Sequence, residues 1–75
     1  MTVKTAEKQG LNYTGTWIGQ FENDREKQIE NLLVEIKTLR AAGFRAVRAT
    51  DNDGGISVYT SATRVQFRKI LELEL

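Results

Sequence analysis

The 75-residue sequence contains no cysteine, no histidine and no proline, and each absence removes a class of structure or chemistry. Without cysteine there is neither a disulfide framework nor a thiolate zinc site to supplement a small core. Without histidine, Ser-His-Asp and Cys-His catalysis and His-ligated metal centres are ruled out by inventory. The lack of proline argues against a linker or a Pro-rich recognition peptide. Long apolar runs are also missing: nothing approaches the roughly 20 residues that a membrane span needs. The first ten residues carry Lys4, Glu7 and Lys8 where a signal peptide would be apolar. The expectation is a cytoplasmic chain with no membrane association.

No glycine-rich phosphate loop of either common spacing occurs. Asp51, Asp53 and the glutamates of the 24–42 segment are the remaining acid/base candidates, but both aspartates fall in an expected exposed turn with no apolar pocket to raise a pKa. The run Asp51-Asn52-Asp53-Gly54 is similar to the start of a calcium loop, which requires a bidentate acid at the twelfth position. Ala62 stands there and cannot ligate. No catalytic residue, no cofactor and no metal site is therefore expected, and the chain is not read as an enzyme.

Charge is nearly balanced at +1, yet unevenly spread. Residues 40–69 hold six basic side chains, Arg40, Arg45, Arg48, Arg64, Arg68 and Lys69, against only Asp51 and Asp53. This local excess can be a set of solvated faces or an anion-binding patch.

The strongest positive signal is the stretch from Asn23 to Gly43. Asn23 suits an N-cap and Glu26 the capping-box position, so a helix is expected from about Asp24 to residue 42. Gly43 suits the left-handed residue that ends a helix, with Lys37 and Arg40 complementing the negative end of its dipole. Ile29, Leu32, Leu33, Ile36 and Leu39 recur at helical spacing and make one apolar stripe. Such a stripe needs a second hydrophobic surface to be stable in water.

The rest of the chain is expected to supply that surface as strands. Residues 1–10 lack a clean period and are expected to form an N-terminal arm with room for a short edge strand; residues 11–75 are expected to make one domain. From Leu11, alternation puts Leu11, Tyr13, Gly15, Trp17, Gly19 and Phe21 on one face, and this aromatic face is expected to lie against the long helix, which would pack into the gaps at Gly15 and Gly19. Phe44 to Thr50 reads as a strand with two half-buried faces, and Asp51-Asn52-Asp53-Gly54-Gly55 as the turn of a hairpin leading into Ile56 to Thr60. In the last segment Leu, Glu, Lys and Arg favour a helix, with Ser61 as a possible cap. Alternation of Val65, Phe67, Leu71, Leu73 and Leu75 against Arg64, Gln66, Arg68, Glu72 and Glu74 favours a strand from about Arg64. Strand is preferred here, because apolar residues scattered around a helix have no common surface to bury.

The expected fold is α+β: a small antiparallel sheet in the order β-α-β-β-β with one long helix on one face, the alternative being β-α-β-β-α with a C-terminal helix. Its expected core includes Trp17, Phe21, Ile29, Leu32, Leu33, Ile36, Leu39, Phe44, Val47, Ile56, Val58, Phe67, Leu71 and Leu73. For function, the missing chemistry points to a non-catalytic protein-interaction module, a small accessory or inhibitor-like protein that binds a protein partner's surface and is itself a homodimer. The expected dimer contact is a C-terminal strand pairing with another copy. The alternative is a small nucleic-acid-binding protein that uses an arginine-bearing sheet face. Arg45, Arg48, Arg64 and Arg68 would contact phosphates, and Tyr13, Trp17 and Tyr59 would stack on bases.

Overall fold

The computed structural model describes residues 1–72. Six elements follow one another: α1 (Val3–Lys8), β1 (Asn12–Ile18), α2 (Arg25–Ala41), β2 (Ala46–Thr50), β3 (Ile56–Thr60) and α3 (Arg64–Glu72). The strands form an antiparallel sheet in the order β1-β3-β2, and the long helix α2 packs on one face of it. The α+β class, the antiparallel sheet and the single long helix are as the sequence predicts.

β3 is the centre of the molecule. All five of its residues are buried, and they alternate between two clusters. Ile56 and Val58 join Ile18, Leu32, Ile36, Leu39, Ala46 and Phe67 under α2 and α3. Tyr59 points the other way, to Ala6, Leu11 and Ala49 beneath α1. β2 feeds both clusters through Ala46 and Ala49, which accounts for its poorly contrasted faces. Thr60 is fully buried and its hydroxyl is satisfied twice, donating to Arg45 O at 2.7 Å and accepting from Ala62 N at 3.2 Å.

Local chemistry sets the ends of α2. Gly43 has φ +93, and the N–H groups of Gly43 and Phe44 donate to Arg40 O and Leu39 O at 3.0 and 3.1 Å. That is a Schellman closure, as expected for Gly43. The start differs from expectation: Asp24, not Asn23, occupies the cap position, in a left-handed conformation and without a side-chain cap bond. Arg25 anchors this end instead, its guanidinium donating to Gly19 O at 3.3 Å and Gly54 O at 3.2 Å. The hairpin turn is as expected. Asp51 Oδ1 accepts from Asp53 N at 2.9 Å and Gly55 N at 2.8 Å, and Gly54 takes a positive φ.

Three expectations are corrected. The segment from Arg64 is a helix, so the element order from β1 onward is the alternative β-α-β-β-α. A reciprocal capping box starts it, with Thr63 Oγ1 accepting from Gln66 N at 3.3 Å and Gln66 Oε1 accepting from Thr63 N at 2.9 Å. Phe67, Ile70 and Leu71, at helical spacing, face the core, whereas Val65, which completes the strand alternation, is exposed. Not every apolar residue needed burial, and that removes the case for a strand. Leu73 and Leu75, on which a strand-paired dimer also relied, lie outside the described residues.

The N-terminal segment is the second correction: residues 3–8 form α1, capped by Thr2 Oγ1 accepting from Thr5 N at 3.2 Å. Among the described residues, extended pairing there is limited to one parallel bridge between Thr2 and Thr50.

The third concerns which face of β1 turns inward. Leu11, Tyr13 and Trp17 do share a side, but it is the α1 side, and Ile18 points under α2. Between the pairs Tyr13↔Tyr59 and Trp17↔Ser57, β1 carries two residues more than β3, so a bulge centred on Gly15 (φ +95) preserves the parity of the alternation. Trp17 is 51% exposed and Phe21 90%, so neither belongs to the core; Leu33 on α2 is 48% exposed and lies off the buried stripe. Val47 packs under α1, not α2.

Candidate interaction surface

The side chains proposed from sequence do not converge. Arg45 and Arg48 lie at the β2 edge, Arg64 and Arg68 on α3, and β1 and β2 are opposite edges of the sheet. All four arginines are exposed. Tyr59 cannot stack on a base: the residue is 7% exposed and its ring is packed 5.6 Å from that of Tyr13. The Tyr59 hydroxyl donates to Glu7 Oε1 at 3.3 Å, tying α1 to the sheet. Burial first, and the neighbouring Glu7 carboxylate second, push the Tyr59 hydroxyl above the ordinary tyrosine range.

Trp17 is half-exposed but held in place. A Cβ on Gly19 would lie 3.1 Å from the indole, and one on Gly55 would lie 2.6 Å from the indole nitrogen. The ring thus fills the gap at Gly19 that the sequence assigned to the long helix. The indole N–H donates to Asp51 Oδ2 at 3.2 Å. Asp51 therefore organises both its own turn and Trp17. The Gly55 N–H foremost, then the Trp17 indole, hold its carboxyl below the usual carboxylate range.

Two features do come together along β1. Arg64 and Arg68, one helical turn apart on α3, form with Asn12, Tyr13, Gly15 and Phe67 the walls of an open cleft of about 590 Å³. Farther along the same strand, Gly15, Thr16 and Ile18 face Asn31 and Glu35 of α2 across a second cleft of about 290 Å³. In that cleft Thr16 Oγ1 donates to Glu35 Oε2 at 2.5 Å, and Glu35 Oε1 is enclosed without a hydrogen-bond partner. Glu35 was not singled out from sequence, whereas Tyr13 was, as one of three rings able to stack on bases. The alternation of β1 marked Tyr13 as facing with Trp17, but nothing local marked Glu35.

Among the described residues, the remaining large apolar side chains at the surface are Met1, Phe21, Leu33, Val34 and Val65. Among the described residues no group of three or more acidic, His or Cys side chains is placed to hold a metal ion, and no helix is long and apolar enough to cross a membrane. Comparison of the chain with protein-family models, with curated proteins and with solved structures finds no match.

Proposed function

We propose that this protein is a non-catalytic protein-interaction module, a small cytoplasmic accessory or inhibitor-like protein that works as a homodimer by occupying a partner's surface. The observation that carries this reading is the number of large apolar side chains left in solvent by so small a fold, with Tyr13, Trp17, Phe21, Leu33, Val34 and Val65 all exposed. A chain of this length buries only about 60% of the surface its unfolded form exposes, so covering such groups by association is a large relative gain. The missing His and Cys chemistry supports a binding role over a catalytic one. Sedimentation equilibrium is the test: a mass that rises toward twice 8.5 kDa with concentration supports the dimer, and 8.5 kDa at all concentrations removes it.

A second reading, nucleic-acid binding, is favoured by the Arg64 and Arg68 cleft beside the half-exposed Tyr13 ring. It leaves Arg45, Arg48 and the buried Tyr59 out of the site. Fluorescence titration with single- and double-stranded DNA and RNA over a salt series tests it, because phosphate contacts must weaken as salt rises. Affinity that ignores salt, or no binding, eliminates this reading.

A further inference from the structure

The outer side of β1 pairs with no strand among the described residues, and its two clefts lie on either side of Gly15. Each is lined by successive residues of β1, so both follow the strand's free edge, the first roofed by α3 and the second by α2. Their charges are opposite. The first carries Arg64 and Arg68 and no acid, the second Glu35 and no cation.

Such an edge is complementary to itself under a two-fold axis through Gly15. Two β1 strands set antiparallel about that axis place Tyr13 opposite the second copy's Trp17, Thr14 opposite Thr16, and Asn12 opposite Ile18. Tyr13 and Trp17 share one sheet face, since their β3 partners Tyr59 and Ser57 are two residues apart. Each is about half-exposed in the single chain. The pairing would turn four half-exposed rings into two cross-strand aromatic contacts, a favourable combination. On the opposite face it would bring the arginine cleft of each copy to the Glu35 cleft of the other.

We infer that two copies of this chain associate edge to edge along β1, about a two-fold axis at Gly15, with Arg64 and Arg68 of each facing Glu35 of the other. The inference rests on the homodimer reading above and names its interface. The bulge at Gly15 interrupts the backbone ladder at the axis, so side chains on both flanks carry the contact. A Cβ on Gly15 would meet nothing within 4 Å in the single chain, leaving the axis open to close approach. The other sheet edge is unsuited to the same pairing. Thr50 N already donates to Met1 O at 2.9 Å, and a symmetric β2 contact would bring Arg45 and Arg48 toward their own copies. The isologous β1 contact closes on itself and does not propagate into fibres.

The test is sedimentation equilibrium of the full chain and of three variants, each checked for native circular dichroism: Arg64→Glu with Arg68→Glu, Glu35→Arg, and the milder Glu35→Gln, which keeps an acceptor for Thr16. The wild type is expected to dimerise at about 100 µM or below, more weakly as salt rises. The double variant and Glu35→Arg are each expected to lose about tenfold or more in association, and Glu35→Gln less. A mixture of the double variant and Glu35→Arg is expected to recover a heterodimer, because the charges are then exchanged. A dimer indifferent to all three variants overturns this interface and leaves the homodimer reading standing. A monomeric wild type overturns both. A monomer that binds a poly-glutamate peptide through Arg64 and Arg68 assigns the cleft to an acidic partner and likewise overturns the proposal.

Discussion

The two faces of the sheet are covered very unequally. On one side the 17-residue α2 and the nine-residue α3 close over Ile18, Ile56, Val58 and Phe67. On the other, the six-residue α1 covers Ala49, Leu11 and Tyr59 and leaves Tyr13 and Trp17 half in solvent. The difference separates two jobs. The thick side holds the larger cluster of the core, while the thin side and the adjoining β1 edge leave two aromatic rings half-exposed. A mutation should therefore cost stability in proportion to which face it strikes.

The sharpest check compares two neighbours on α2. Ile36 is buried among the sheet residues, so Ile36→Asp would bury an unpaired carboxylate, a penalty of several kcal/mol against a total stability of about 5 kcal/mol for so short a chain. It is expected to unfold the protein by circular dichroism. Leu33→Asp, one turn away but half-exposed, is expected to cost less than about 1 kcal/mol in the same urea titration. Equal losses would mean that Leu33 is also covered.

On the thin side, Ala6→Asp strikes a fully buried residue of a short helix. The substitution should cost about 2 kcal/mol, less than Ile36→Asp, because α1 can peel away and hydrate the new carboxylate while the α2 and α3 side persists. Hydrogen exchange should show protection lost at Leu11 and Ala49 but retained at Val58. Loss of protection at all three would make the two faces one cooperative unit.

The cap of α3 provides a smaller test. Thr63→Ala removes the acceptor for Gln66 N and should cost about 1 kcal/mol in thermal unfolding. No change would mean that the packing of Phe67 alone holds this helix in place.

The smallest effects concern pH, and both lie on the thin side. Asp51 titrates below the ordinary carboxylate value in the folded chain, so its contribution is present above about pH 4 and is lost as pH falls through the lowered folded value. Trp17 is the sole tryptophan, and its emission should shift in that acid window as the indole loses its partner. Tyr59 titrates above the ordinary tyrosine value, so its contribution is present below about pH 10 and is lost as pH rises through the raised folded value. Asp51→Asn should abolish the acid shift in emission; a shift that persists would place its cause elsewhere.

Much of the fold was legible, and the misses share a cause. In α3 two signals compete: the capping pair Thr63 and Gln66 with Phe67, Ile70 and Leu71 specifies a helix, while alternation from Val65 onward specifies a strand. The capping bonds close within four residues and the helical trio reaches the core, so the helix prevails at the cost of exposing Val65. The candidate site was less legible. Arg64 and Arg68 stand one turn apart only because this segment is helical, and Glu35 meets β1 only because α2 crosses above Thr16.

What the sequence determined by itself was local. Gly43 closed α2 because its φ is strained for other residues, Asp51 to Gly55 made the hairpin turn through bonds to neighbouring backbone, and alternation put Leu11, Tyr13 and Trp17 on one side of β1. Tertiary structure alone decided which side of β1 faced the long helix. Ile18 lies under α2 with the other core residues, and the larger Trp17 ring lies on the opposite face across Gly19 and Gly55, bonded to Asp51. That choice balances two ways of covering the same strand, and it depends on volumes brought together from distant parts of the chain, which no short stretch encodes.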